Sequence, residues 1–170
     1  MIGIPIAGIH RIYLIGEVVC RHGPRIAIYI GKCKTPFGAT DDAIAAGIAA
    51  DARVMLLAPC CHKELRPQID KAAPKSPLHD ILKYGTFAER HAEILTDTLR
   101  ALFLERAGYK VKIAEFVAAE HTARNVMLIA TRHPHPPRRE TEERIAALKD
   151  FYGIRTYRLE KLLEPLLERD

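Results

Sequence analysis

The stretch from Arg53 to Leu65, R-V-M-L-L-A-P-C-C-H-K-E-L, constrains the fold of this chain more than any other. Val54, Met55, Leu56 and Leu57 form an uninterrupted apolar run that leads into Pro59, two adjacent cysteines, a histidine and a lysine. A short apolar run of this kind predicts a strand over Arg53 to Leu57 covered on both faces, as in the middle of a parallel sheet. Pro59 has no N–H for the ladder, so the strand ends there and Cys60, Cys61 and His62 fall at its carboxyl end. In open α/β sheets, ligands bind outside that end.

The rest of the chain is long enough to surround such a strand. Its 170 residues suit one domain with a real core, and 48% apolar against 28% charged residues is a globular composition, not a disordered one. No stretch reaches the roughly 18 apolar residues of a membrane span, so no membrane partner is expected. The opening M-I-G-I-P-I-A-G-I-H has no basic region and no cleavage pattern, which argues against a signal peptide. Four cysteines without disulfide-framework spacing then predict a reducing, cytoplasmic compartment. The net charge of +5 is concentrated early: Arg11, Arg21, Arg25, Lys32 and Lys34 face only Glu17 in residues 1–40. A basic arm of this kind suits RNA or another polyanion, or is simply a mildly basic surface.

Taken in order, Ile12 to Val19 and Arg25 to Ile30 are β-rich runs around Gly23-Pro24, read as a hairpin or two successive strands. Thr40 is placed to cap an alanine-rich helix reaching about Ala50, with Asp41 and Asp42 in its first turn. Lys63 to Ser76 reads as a short helix and a surface excursion, and Leu78 to Tyr84 as a short helix stopped by Gly85. Thr86 and Glu89 form a capping-box pattern for the main helix, Phe87 to Ala107. Its apolar side carries Ile94, Leu95, Leu99, Leu102 and Phe103, Gly108 ends it, and Arg90, His91, Asp97 and Arg100 fall on the side that is solvated by default. Tyr109 to Val117 and Asn125 to Ala130 read as an antiparallel strand pair joined by A-A-E-H-T-A-R. A proline-rich linker, R-H-P-H-P-P-R-R, leads to two helices, Glu140 to Phe151 and Leu159 to Glu168, separated at Tyr152-Gly153.

Two polar groupings invite chemistry. Cys60-Cys61-His62 admits a metal, but adjacent cysteines are poorly spaced for one tetrahedral zinc ion, even with Cys33 as a further thiolate. It also admits a nucleophilic thiolate beside His62 or Lys63, or two cysteines that pack and line a pocket. Glu120-His121-Thr122-Ala123-Arg124-Asn125 gathers polar groups at a turn that is otherwise solvated loop. No metal site is assigned. No G-x-G-x-x-G, P-loop, G-x-S-x-G or H-E-x-x-H pattern is present.

The ordered series T-D-D-A, P-C-C-H-K-E-L, I-L-K-Y-G, F-A-E-R-H-A-E-I-L-T-D-T-L-R, G-Y-K-V, E-F-V and E-H-T-A-R-N-V-M-L-I resembles the C-terminal half of a class I S-adenosylmethionine-dependent methyltransferase group. That group carries a P-C-C motif after a central strand and an E-H-T-x-[KR]-N turn, and the resemblance covers about residues 38–131. It implies an α/β fold: a partial Rossmann-like methyltransferase sheet of central parallel strands and a closing antiparallel pair, with flanking helices and a helical C-terminal tail. The organisation implied is a β-rich segment (1–37), a methyltransferase-like half-domain (38–131), and a proline-rich linker and helical tail (132–170). The implied cofactor is S-adenosylmethionine. Cys60, Cys61, His62, Glu120, His121 and Asn125 would line the substrate side, and Cys33, Thr40 and Asp41 would lie near the cofactor. Methyl transfer requires mainly in-line positioning, so no obligatory nucleophile follows.

The chain departs from that pattern in its first 40 residues, where I-Y-I-G-K-C-K-T-P-F-G replaces a motif like A-L-H-A-C-D, of which only Cys33 is an echo. The family's glycine-rich turn and its acidic residue for the ribose hydroxyls have no counterpart there. The expectation is a truncated or frame-disrupted methyltransferase-family protein lacking the glycine-rich cofactor half, its residues 1–40 outside the family's fold. The alternative is a non-catalytic remnant or a basic RNA-binding module. An exposed sheet edge would then favour a homo-oligomer.

Overall fold

A computed structural model describes residues 12–14, 26–30, 39–59, 62–72, 77–115, 126–134 and 138–167. They form a mixed α/β fold. In chain order the elements are β1 (Ile12–Leu14), β2 (Ile26–Ile30), α1 (Ala39–Ala49), β3 (Val54–Ala58), α2 (Arg66–Ala72), α3 (His79–Leu82) and α4 (Gly85–Arg106). They continue with β4 (Tyr109–Glu115), β5 (Val126–Arg132), α5 (Arg138–Phe151) and α6 (Arg158–Leu167). The five strands make one sheet in the order β1-β2-β3-β5-β4.

β1 is parallel to β2 and β2 to β3, with Ile26 opposite Val54 and Ile30 opposite Ala58. Parallel neighbours cannot be joined by a tight turn, so the hairpin reading of residues 12–30 is replaced by two successive strands of the same sheet. α1 is the crossover between β2 and β3. β5 then enters antiparallel to β3, with Leu56 opposite Ile129, and pairs antiparallel with the edge strand β4 along its whole length. β4 therefore runs in the same direction as β3, with β5 reversed between them.

The central strand lies one residue beyond its expected place, and its burial alternates. Met55 and Leu57 are fully buried while Val54, Leu56 and Ala58 are half-buried. Register puts Met55 and Leu57 on one face with Ala130 and Leu128, and that face carries the core beneath α1 and α4.

α4 organises the helical layer, and three expectations about it change. It starts at Gly85, with Tyr84 as an extended N-cap residue and no side-chain cap, so Thr86 lies within the first turn. Glu89 accepts a 2.9 Å bond from Arg66 Nη1 instead of closing a capping box. Ile94 is exposed, although Leu95, Leu99, Leu102 and Phe103 are buried as the pattern requires. Thr96, Asp97, Arg100 and Leu104 are buried too, because α4 is covered on a second side, where α6 and α5 pack. Gly108 ends the helix at φ +92°, a left-handed position that suits glycine.

The tail is part of the core. β5 runs to Arg132 and α5 begins at Arg138, so the linker between them is shorter than its composition predicts. α6 packs along α1, and Tyr157, Leu159 and Leu163 are fully buried. The α5–α6 connection is held from below by one side chain. Gln68 Nε2 donates to the Thr156 carbonyl at 2.8 Å, and Gln68 Oε1 accepts from the Arg155 and Thr156 N–H groups at 2.8 and 3.2 Å. No helix among the described residues is long and apolar enough to cross a membrane.

Candidate functional site

Beyond the carboxyl ends of β2 and β3, three elements send charged side chains into the interior. The first turn of α1 supplies Asp41, the residues after Pro59 supply His62, and the middle of α4 supplies Asp97 and Arg100. Arg100 and Asp41 are each only 1 % exposed. Arg100 Nε donates to Asp41 Oδ1 at 2.8 Å, and Arg100 Nη1 to Asp97 Oδ1 at 3.0 Å. The other oxygen of Asp97 lies 2.9 Å from His62 Nε2. A carboxylate only accepts, so Nε2 carries the proton in this contact. The order Asp41–Arg100–Asp97–His62 thus alternates in sign along a single chain of charge-assisted hydrogen bonds.

Burying a guanidinium costs heavily unless carboxylates surround it. Burial alone lowers the Arg100 pKa; the neighbouring Tyr157, Asp41 and Asp97 groups raise it by more, so Arg100 stays charged. Tyr157 closes the cluster from the α6 side, its ring 5.7 Å from that of Phe103. Burial pushes its hydroxyl well above the ordinary tyrosine range, with Arg100 pulling the other way. Glu64 lies at the rim. Burial raises its pKa, partly offset by the Arg158 N–H that it accepts at 2.7 Å.

Three buried side-chain atoms around this cluster make no hydrogen bond: Thr40 Oγ1, His62 Nδ1 and the Tyr157 hydroxyl. Each is a buried donor or acceptor left without a partner, a cost that the rest of the packing offsets. Thr40 was expected to cap α1, but the helix starts at Ala39 and takes Thr40 into its first turn.

Of the residues singled out from sequence, the structure brings His62 and Asp41 together through Arg100 and Asp97, with Thr40 beside Asp41. Cys33, Cys60, Cys61, Glu120, His121 and Asn125 lie outside the described residues. Asp97 and Arg100, read as a solvated face, are the centre of the cluster, and Tyr157 and Glu64 had no sequence signal. The one available clue to Asp97 and Arg100 was α1, whose alanine-rich sequence predicts a closely packed helix yet carries Asp41. Among the described residues, no group of three His, Cys, Asp or Glu side chains is placed to hold a metal ion.

The described residues do not form a cradle for S-adenosylmethionine. Asp41, the acidic residue expected near the cofactor, accepts from Arg100 through Oδ1. The described glycines sit within α1, at the start of α4, or after α4 and α5, not in a turn that follows a strand. What the cluster does chemically is fix the relative positions of α1, the end of β3 and α4. No family model, curated protein or solved structure matches this chain.

Proposed function

We propose that this chain is a protein of the S-adenosylmethionine-dependent methyltransferase group whose described residues build the acceptor-side half of the pocket, and not the cofactor half. The observation that carries the reading is the Asp41–Arg100–Asp97–His62 chain. Three of the motifs behind the resemblance, T-D-D-A, P-C-C-H and T-D-T-L-R, are far apart in sequence and meet in it. The reversal of β5 between β3 and β4 agrees with the closing antiparallel pair that a Rossmann-like methyltransferase sheet requires. On this reading His62, just beyond the end of β3, is held by Asp97, and Cys60 and Cys61 belong to the same wall by resemblance. The His62 Nδ1, buried and unpartnered in this structure, is on this reading the group that a methyl acceptor would engage. Glu120, His121 and Asn125 belong to the same wall by resemblance, and RNA is the acceptor class that the basic arm suits.

Calorimetric titration of S-adenosylmethionine into the full chain tests this. The expected result is weak, saturable binding in roughly the millimolar range, about −4 kcal/mol, competed by S-adenosylhomocysteine. Tight binding would overturn the half-site assignment. No binding, together with RNA affinity that falls steeply with salt, would replace the reading with a non-catalytic RNA-binding module.

A further inference from the structure

α4 carries a second stripe that the core does not use. Phe87, His91, Ile94 and Thr98 recur at spacings of four, three and four, the seam pattern by which one helix packs against another, and the N-cap residue Tyr84 extends the stripe at its start. Tyr84 is 56 %, Phe87 53 % and Ile94 67 % exposed, and Ile81 and Phe151 beside the stripe are also exposed. The rings form two groups along the stripe. Tyr84 and Phe87 meet edge to face at 5.8 Å, His91 and Tyr152 lie 5.3 Å apart, and Phe151 packs edge-on to Tyr152 at 5.0 Å. His91 Nε2 and the Tyr152 hydroxyl are 2.7 Å apart, which fixes the end of α5 against the middle of the stripe.

We infer that a second copy of this chain docks on this face, α4 against α4, about a two-fold axis near His91. Three observations favour that occupant. Half-exposed aromatic side chains and two isoleucines leave roughly 500 Å² of apolar surface uncovered, most of the ~800 Å² that each partner contributes to a standard interface. The seam is nearly symmetric about His91, so an antiparallel pair sets Phe87 of one copy against Ile94 of the other and closes as an isologous dimer. The local charge does not suit a polyanion despite the basic chain. Residues 79–94 hold Lys83 and Arg90 against Asp80, Glu89 and Glu93, and Lys83 is paired with Asp80 at 2.7 Å.

Sedimentation equilibrium of the full chain and of the variants Phe87→Glu, Ile94→Glu and Ile113→Glu tests the inference. Ile113 lies on the edge strand β4, so its variant reports on a sheet-edge dimer instead. At roughly 100 μM, above the micromolar Kd at the weak end for interfaces of this size, the parent chain is expected at twice the single-chain mass. Phe87→Glu and Ile94→Glu are expected at the single-chain mass with unchanged circular dichroism, and Ile113→Glu as a dimer. A parent chain of single mass, α4 variants that stay dimeric, or dissociation by Ile113→Glu alone would each overturn it. So would a single-mass parent whose RNA affinity drops with Phe87→Glu.

Discussion

Replacing Arg100 by methionine removes the charge at the centre of the buried cluster while keeping an unbranched apolar stem. Asp41 and Asp97, both almost inaccessible to solvent, then lose the guanidinium to which each bonds at 3.0 Å or less. Breaking a buried pair from one side costs about 3–5 kcal/mol, since the remaining carboxylate stays desolvated without a counter-charge. For a chain of this length each kcal/mol lowers Tm by about 2–4 °C, so Arg100→Met is expected to lose roughly 6–20 °C. Urea unfolding followed by circular dichroism measures the free energy directly. Asp41→Asn supplies the second arm of a double-mutant cycle. Because the two side chains share a bond, the double variant is expected to lose about 1–3 kcal/mol less than the sum of the single losses. A cost below about 1 kcal/mol for Arg100→Met, or strict additivity, would show that Arg100 is hydrated and refute the description of the cluster.

Tyr157→Phe keeps the ring against Phe103 and deletes a buried hydroxyl that bonds to nothing, so its urea midpoint at neutral pH is expected to stay level or rise by up to about 1 kcal/mol of stability. Because burial raises the folded-state pKa of Tyr157, its contribution is intact below the unfolded value near 10 and is lost as pH rises through the folded one. Unfolding curves between neutral and strongly alkaline pH are therefore expected to be flatter for Tyr157→Phe than for the parent, and identical slopes would count against burial of that hydroxyl. Gly153 has φ +64°, and a Cβ there would lie 2.9 Å from the Ala72 Cβ, so Gly153→Ala is expected to cost about 1–3 kcal/mol by urea unfolding. A neutral result would mean that the α5–α6 connection is not seated on α2.

What was readable in the sequence was local. Pro59 and the apolar run before it placed β3 to within a residue, and Gly108 marked the end of α4 because a left-handed residue there favours glycine. The long separation of Asp41 and Arg100 hid the cluster. Helical periodicity assigns each residue to a side of its own helix, but says nothing of what packs there. Asp97 and Arg100 fall on the polar side of α4, and that side is buried because α5 and α6 return from the far end of the chain. Ile94 failed in the opposite sense: it has the apolar character of a core position but sits one step around the helix from Leu95, on the outer stripe. Thr40 and Thr86 lie inside their helices and not at the caps, because capping patterns fix a helix start only to within a residue or two.

The place of α6 gives the fold an order in time. Asp41, His62, Asp97 and Arg100 all leave the ribosome before Tyr157, which lies against Arg100, Asp41 and Asp97, and before α6, which packs on α1. Until those later residues emerge, the ion pairs sit at a surface, screened and contributing little. The cluster becomes a strong restraint only when the chain is nearly finished. A nascent protein of this design therefore keeps the junction between α1, β3 and α4 adjustable during synthesis, and the last helix sets it.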